Sequence, residues 1–256
     1  MQSSTADAEC QAVSWRFVVI RVFRITITTV SLYLITHLFV FAVLPFAILI
    51  SCLDNGRIPA IKRWFVKCLF AIVGKRLKVS GYSNFKPDRQ YVIVSNYPSG
   101  YAGFALIGTF PHASLVAHAF LKRIPLLGQA LSRIGTVFVQ PGASGRGRRA
   151  IELYLERSKV IPSVIILPEG WRTPDGMIHR FMRGFVYIQR QTSFDVLPVT
   201  LNGLYRLKPM RRFYADPDAK PEMIIHPAVS SSTACKMSDE ELLITVKSII
   251  NSSYQP

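Results

Sequence analysis

Apolar residues run almost unbroken through much of the first third of the chain, and from residue 77 they come in short bursts separated by polar turns. Residues 1–14 are small and polar and are expected to be disordered. Residues 15–24 mix apolar side chains with Arg16, Arg21 and Arg24, and residues 25–53 carry no formal charge at all. That run exceeds the roughly 20 residues a helix needs to cross the hydrocarbon core, and it is too long for a buried core helix. A signal peptide has a shorter apolar region and a small-residue cleavage site, so it is set aside. Pro45 lies inside the run and can kink or end a helix there. Basic residues stand on both sides, with Arg57, Lys62, Arg63 and Lys67 following the run. Such clusters normally face the cytoplasm, so a single span leaves one of them on the wrong side. A helix dipping into one leaflet satisfies both flanks, as does a helical hairpin with residues 61–73 as its second arm. In that arm Ile61, Trp64, Phe65, Cys68, Leu69 and Val73 form an apolar stripe at helical spacing. Residues 15–75 are therefore expected to be a membrane-associating segment on the cytoplasmic face (the inner membrane, in a bacterium). Monotopic or re-entrant attachment is favoured over one true span.

From residue 77 the pattern is that of an α/β domain. Short β-type runs occur at 77–79, 91–95, 113–117, 136–139, 164–167, 196–201 and 223–226, with helical candidates between them at 121–134, 147–157 and 185–192. Ser238-Asp239-Glu240-Glu241 reads as a capping box, followed by Leu242, Leu243, Val246, Ile249 and Ile250 on one helical face. No repeat or low-complexity linker interrupts residues 77–252, and residues 76–256 are read as one α/β domain. The expected fold is a mixed central sheet flanked by helices, preceded by the hydrophobic segment.

Composition narrows the partners. Half of the 256 residues are apolar and the net charge is +16, a pairing that fits nucleic acid, an anionic membrane surface or an anionic substrate. The apolar run argues for the membrane. No nucleic-acid-binding motif is visible, and aromatic residues are not interleaved with the basic ones, so no nucleic-acid partner is expected. Cys10, Cys52, Cys68 and Cys235 are far apart and lack metal-ligand spacing. They read as reduced thiols of a cytosol-facing protein, with no metal site.

Candidate chemistry concentrates in residues 166–173, Ile-Leu-Pro-Glu-Gly-Trp-Arg-Thr. A buried strand there runs into a Pro-Glu-Gly turn that presents Arg172, and such a turn can place backbone N–H groups and a guanidinium around one anion. Four further segments stand in order with it: Val-Ser-Asn-Tyr-Pro-Ser-Gly-Tyr-Ala at 94–102, Ile-Gly-Thr-Val-Phe-Val-Gln-Pro at 134–141, Phe-Met-Arg-Gly at 181–184 and Val-Leu-Pro-Val at 196–199. Leu115 to His118, with the Arg-Ile-Pro-Leu-Leu-Gly of 123–128, lies between the first two. Taken together the blocks resemble the PlsC-like glycerolipid acyltransferases, which acylate lysophosphatidic acid and carry "SNHxSxxD", "GxIFIDR", "PEGTR" and "VPVAI" in this order. The resemblance covers residues 60–252.

That resemblance implies transfer of an acyl chain from acyl-CoA or acyl carrier protein to a lysophospholipid-like acceptor, with no other cofactor. It also implies substrate-binding roles for Asn96, Ser99, Glu169, Gly170, Arg172 and Arg183. In the family a histidine acts as general base on the acceptor hydroxyl and an aspartate orients it. Here those two positions hold Tyr97 and Ala102, so both halves of the dyad are replaced. A phenol with an ordinary pKa of about 10 is a poor base at neutral pH, and Ala102 orients nothing. His118 occupies the place of a family lysine and is the candidate substitute base, with His112 and His179 as further histidines nearby. The second-block arginine is replaced by Pro141, and the Gly-Arg-Gly-Arg-Arg run at 145–149 is placed to compensate for it. Two readings stay open: an acyltransferase with a non-standard site, and a catalytically inactive lipid-binding or scaffolding protein of the same fold.

Overall fold

The computed structural model describes residues 18–31, 55–140, 145–158, 160–210 and 216–256, together with Trp15, Tyr33, Leu34, His37, Phe41, Pro45, Ile48 and Leu49. Among these, seven strands form one mixed sheet: β1 (Lys78–Ser80), β2 (Tyr91–Ser95), β3 (Ser114–His118), β4 (Val137–Val139), β5 (Val164–Ile166), β6 (Asp195–Asn202) and β7 (Glu222–Ile225). Their order is β1-β7-β6-β2-β5-β3-β4. Every neighbouring pair is parallel except β6 with β7. Each strand falls within two residues of the run that predicts it.

β2 and β5 are buried at every position, and β6 at all but its first, as expected of strands covered on both faces. The pleat divides their side chains between two cores. Tyr91, Ile93, Ile165, Leu197, Val199 and Leu201 face one side, whereas Val92, Val94, Val164, Ile166 and Val196 face the other. Helices α1 (Ile58–Ile72) and α2 (Tyr101–Thr109) cover the first face. α3 (Leu127–Arg133) and α4 (Arg146–Arg157) flank the β3–β4 edge, and α5 (Gly184–Thr192) covers the second face. The chain ends through the short α6 (Leu204–Leu207) and α7 (Ser231–Ala234) and then α8 (Asp239–Ser252), whose capping box forms as its sequence predicts.

Three expectations change. The candidate helix at 121–134 is broken, because Pro125 precedes Leu126 at φ +61°, and only α3 remains as α-helix beyond the break. α2 carries no helical period to be read, since both of its sides are apolar and it includes Gly103 and Gly108. A side chain at Gly108 would strike Val66 at 2.7 Å, so glycine there permits the close approach of α1. α1 itself turns Lys62, Phe65, Val66, Leu69 and Phe70 inward, leaving Trp64 of the expected membrane stripe exposed. Its buried face belongs to the core of the α/β unit, which in packing terms starts near residue 58 rather than 76. Among the described residues no helix is long and apolar enough to cross a membrane. Much of the uncharged run at 25–53 lies outside the described residues, as do Cys10 and Cys52; Cys68 and Cys235 are free thiols.

Lys62 fastens α1 to the segment that leads into β3. It is 6 % exposed, and its ammonium donates to the carbonyls of Pro111 at 2.8 Å and Ala113 at 3.1 Å. Burial lowers its pKa to about 8, a cost of roughly 3 kcal/mol at neutral pH against a freely solvated lysine. Between that value and about 10.4 the unfolded chain binds a proton the folded chain has released, so stability rises with pH there. We expect unfolding free energy to rise across this window in the wild type and to lose that slope in Lys62→Met. Denaturant titrations at several pH values check this, and identical slopes would show that Lys62 titrates normally.

Candidate lipid and anion site

The carboxyl ends of β2, β5, β3 and β4 converge on one cavity of about 740 Å³, the usual place for a ligand in an open α/β sheet. Phe104, Ile107, Leu115, Leu127, Leu131 and Ile151 give it an apolar interior. Tyr97, His118, Trp171, Arg172, Arg148 and Arg183 are among its polar and aromatic members.

Two loops are stitched together to form this site. Register places Val94 of β2 beside Ile166 of β5, so the loops leaving both strands meet. Glu169 bridges them: one carboxylate oxygen accepts the Tyr97 N–H at 2.6 Å and the other the His179 N–H at 2.9 Å. Burial raises the Glu169 pKa, against the pull of those two N–H groups. Thr173 N–H returns to the Tyr97 carbonyl at 3.0 Å, and Met182 N–H to that of Pro168 at 2.8 Å. Gly170 closes the turn by donating to the Leu167 carbonyl at 3.0 Å. Its φ of +74° is one that glycine adopts without strain. A further knot forms beyond the turn, where Asp175 accepts from Thr173 and Met177 and pairs with the His179 ring at 2.8 Å. These contacts hold the Asp175 carboxyl well below its usual range.

The other candidate residues fall into two groups. Asn96 and Ser99 are buried and turned to the scaffold. The Asn96 amide donates to the Leu201 carbonyl at 3.0 Å and accepts the Leu201 N–H at 2.8 Å, fastening the end of β2 to β6. The Ser99 hydroxyl accepts the Tyr101 N–H at 3.2 Å at the start of α2. Ala102, in the aspartate position, is fully buried in the first core. Tyr97, His118, Gly170, Arg172 and Arg183 line the cavity, and Arg183 reaches Glu240 at 3.1 Å. His112 is exposed, and Pro141 lies outside the described residues.

The chemistry of the cavity wall is that of donors. Burial raises the Tyr97 pKa, partly opposed by the nearby Arg172 guanidinium, so the phenol keeps its proton at neutral pH. The His118 Nδ1 accepts the Phe120 N–H at 3.1 Å, which puts the proton of the neutral ring on Nε2. Burial lowers its pKa and keeps the ring neutral. With its basic lone pair engaged by the backbone, this imidazole is a donor rather than a ready base. Asp239, the carboxylate on the wall, is paired with Arg190 at 3.1 Å. Arg148, from the 145–149 run, joins the wall and is set by Glu152 at 3.0 Å and by the Tyr187 ring, 4.6 Å from its guanidinium carbon. The sequence reading does not single out Trp171 or Phe120. The signal for Trp171 was an aromatic residue standing where the "PEGTR" pattern has threonine; Phe120 carries no such local signal.

Comparison with known proteins agrees with this architecture. Residues 76–202 match the family model described as Acyltransferase. The chain is 25% identical over 166 residues to the chloroplastic 1-acyl-sn-glycerol-3-phosphate acyltransferase of Arabidopsis thaliana, covering 64% of this chain and 47% of that protein. It is 31% identical over 148 residues to the 1-acyl-sn-glycerol-3-phosphate acyltransferase of Pseudomonas aeruginosa, covering 53% and 55% respectively. The chain thus spans about half the length of these curated relatives. The crystal structure of the 1-acyl-sn-glycerophosphate acyltransferase PlsC from Thermotoga maritima superposes with a TM-score of 0.77 at 26% identity, covering 91% of this chain and 95% of that one. The chain belongs to the PlsC-like acyltransferase family.

Proposed function

We propose that the protein takes an amphiphile with one acyl chain and an anionic head into this cavity, and transfers an acyl group from acyl-CoA or acyl carrier protein to a lysophospholipid-like acceptor. The observation that carries this reading is the union of an apolar cavity with donors on its wall, Arg172 and Tyr97 foremost. A guanidinium binds two phosphate oxygens at once, and a protonated phenol adds a third donor to a phosphate or to the oxygen of a reacting thioester. In the reaction the acceptor oxygen bonds to the thioester carbon, the carbon–sulfur bond breaks, and the acceptor's proton passes to the departing thiolate. The chain works at the cytoplasmic face of a bilayer that supplies the acceptor. The names of its relatives, which act on 1-acyl-sn-glycerol 3-phosphate, support that acceptor class.

A second reading is favoured by one observation. The His118 lone pair is engaged by Phe120 N–H, leaving Tyr97 and a buried Ala102 where the family has its base and acid. On this reading the protein binds the same lipids without turnover.

Incorporation of radiolabelled acyl chains by detergent-purified protein separates the two, with lipid binding measured on the same samples. The first reading expects wild-type turnover with at least one acceptor. Binding without turnover across a broad acceptor panel and both donor types would establish the second. Tyr97→His with Ala102→Asp then creates activity if the pocket is otherwise intact. Ala102→Asp alone places an unpaired carboxylate in the core, and we expect it to cost roughly 3 kcal/mol or more. The double variant should recover part of that loss through the restored pair. A denaturation series on both variants checks the order, and equal midpoints would show that no pair forms.

A further inference from the structure

The turn that presents Arg172 is held from two directions. On the cavity side, the Trp171 and Phe120 rings lie within 7° of parallel with centroids 6.1 Å apart. The other support comes from two tyrosines that do not line the cavity. The Tyr254 hydroxyl donates to the Gly176 carbonyl at 2.5 Å, and the Tyr205 hydroxyl donates to the Pro174 carbonyl at 3.1 Å. The Tyr205 ring also packs against Gly176, where a Cβ would come within 2.8 Å of it. The Thr173 hydroxyl accepts the Gly176 N–H at 3.1 Å and donates to Asp175 at 2.8 Å, and Thr173 directly follows Arg172. Burial raises the Tyr254 pKa, and the Glu169 carboxylate adds to the rise, so this phenol stays a donor.

Tyr254 is itself fixed. It lies in the segment following α8, which Asn202 at the end of β6 grips on both sides of the tyrosine. The Asn202 amide donates to the Ser253 carbonyl at 2.9 Å and accepts the Gln255 N–H at 2.9 Å. The Thr200 hydroxyl donates to the Ile250 carbonyl at 2.8 Å. Leu201, between these two β6 residues, is the partner of Asn96. The end of β6 is therefore a common reference for both loops of the site, through Asn96 for the loop after β2 and through Tyr254 for the loop after β5. Arg172 depends on that relation, because its Nη1 stands 3.7 Å from where a Cβ on Gly100 would lie, so the guanidinium spans the gap between the loops. We propose that Tyr254, backed by Tyr205, is a positioning residue for head-group recognition, holding the turn at 173–176 so that Arg172 is already aimed when an anionic head arrives. The inference rests on the reading above, that Arg172 receives that head. A guanidinium set in advance gives up less freedom on binding, so the affinity is higher. Both tyrosines lie outside residues 76–202, which match the family model, so this support comes from beyond the shared blocks.

The test measures the affinity of the full chain for a lysolipid bearing phosphate and for the neutral monoacylglycerol of equal chain length. Amide hydrogen exchange is followed on the same proteins without lipid. Tyr254→Phe should weaken binding of the phosphate lipid by roughly threefold to tenfold, the worth of one hydrogen bond, and leave the neutral lipid unchanged. Exchange at the Tyr97 and His179 N–H groups, both held by Glu169, should quicken while the sheet stays protected. Tyr205→Phe should act in the same direction. In an Arg172→Ala background Tyr254→Phe should change neither affinity, because its effect passes through Arg172. Equal losses for both lipids with faster exchange across the whole domain would show a purely structural role and overturn the proposal. Unchanged exchange and affinity in Tyr254→Phe would overturn it too, as would an undiminished effect in the Arg172→Ala background. Wild type that binds neither lipid would refute the functional reading alone, and exchange at Tyr97 and His179 would then decide whether the tyrosines set the turn.

Discussion

The site depends on one carboxylate bridging two turns. Glu169 accepts from the Tyr97 N–H at 2.6 Å and the His179 N–H at 2.9 Å, and the backbone around it returns the connection from Thr173 to Tyr97. A partly buried carboxylate is tolerable because both oxygens meet donors. Without it the loops after β2 and β5 would leave two N–H groups unpaired, and Arg172 and Tyr97 would lose the frame that sets them side by side. The sheet supplies the coarse placement, since parallel pairing of β2 with β5 and β6 brings three strand ends to one edge. The carboxylate then sets the loops on that edge.

If the resemblance assigns the dyad positions correctly, a phenol and a methyl group stand where an imidazole and a carboxylate are expected, and that alters what this frame can do. An imidazole held by a carboxylate would remove a proton from a hydroxyl; the arrangement here offers protons. Tyr97 stays protonated through burial, and His118 spends its lone pair on Phe120 N–H. Arg172, Arg148 and Arg183 share the same wall. Such a surface is suited to holding an anionic head or polarising a carbonyl, while the apolar interior holds a chain. Any turnover must therefore draw its base from elsewhere, including the substrate itself.

Much of the fold was legible in the sequence, and more of it than of the site. The central strands β2 and β5 announce themselves because buried parallel strands are short apolar runs bounded by turns, the half-buried β7 shows the same short run between turns, and α8 is legible because Ser238 and Glu241 form a local capping box. α2 was hidden because a helix buried on both sides has no amphipathic period. α1 was seen, but its inward face was assigned to membrane, since an apolar stripe does not say which apolar partner covers it. The buried Lys62 marks the true inward face, and a lysine there reads as polar surface. Site residues on the Pro-Glu-Gly-Trp-Arg turn were legible from local chemistry. The carbonyl and amide partners of Asn96 at Leu201, 105 residues away, and the meeting of Trp171 with Phe120 were not, because each depends on tertiary contacts.

The central claim is that this cavity recognises an anionic head through Arg172 and a chain through its apolar walls, as two separable interactions. The most direct measurement compares affinities of wild type, Arg172→Ala and Arg172→Lys for a lysolipid bearing phosphate and for the neutral monoacylglycerol of equal chain length. Arg172→Ala should weaken binding of the phosphate lipid by roughly tenfold to a hundredfold, the worth of charge-assisted hydrogen bonds. Lysine should recover little of that loss, and the neutral lipid should bind all three proteins alike. Equal losses for both lipids, or none for either, would contradict the account.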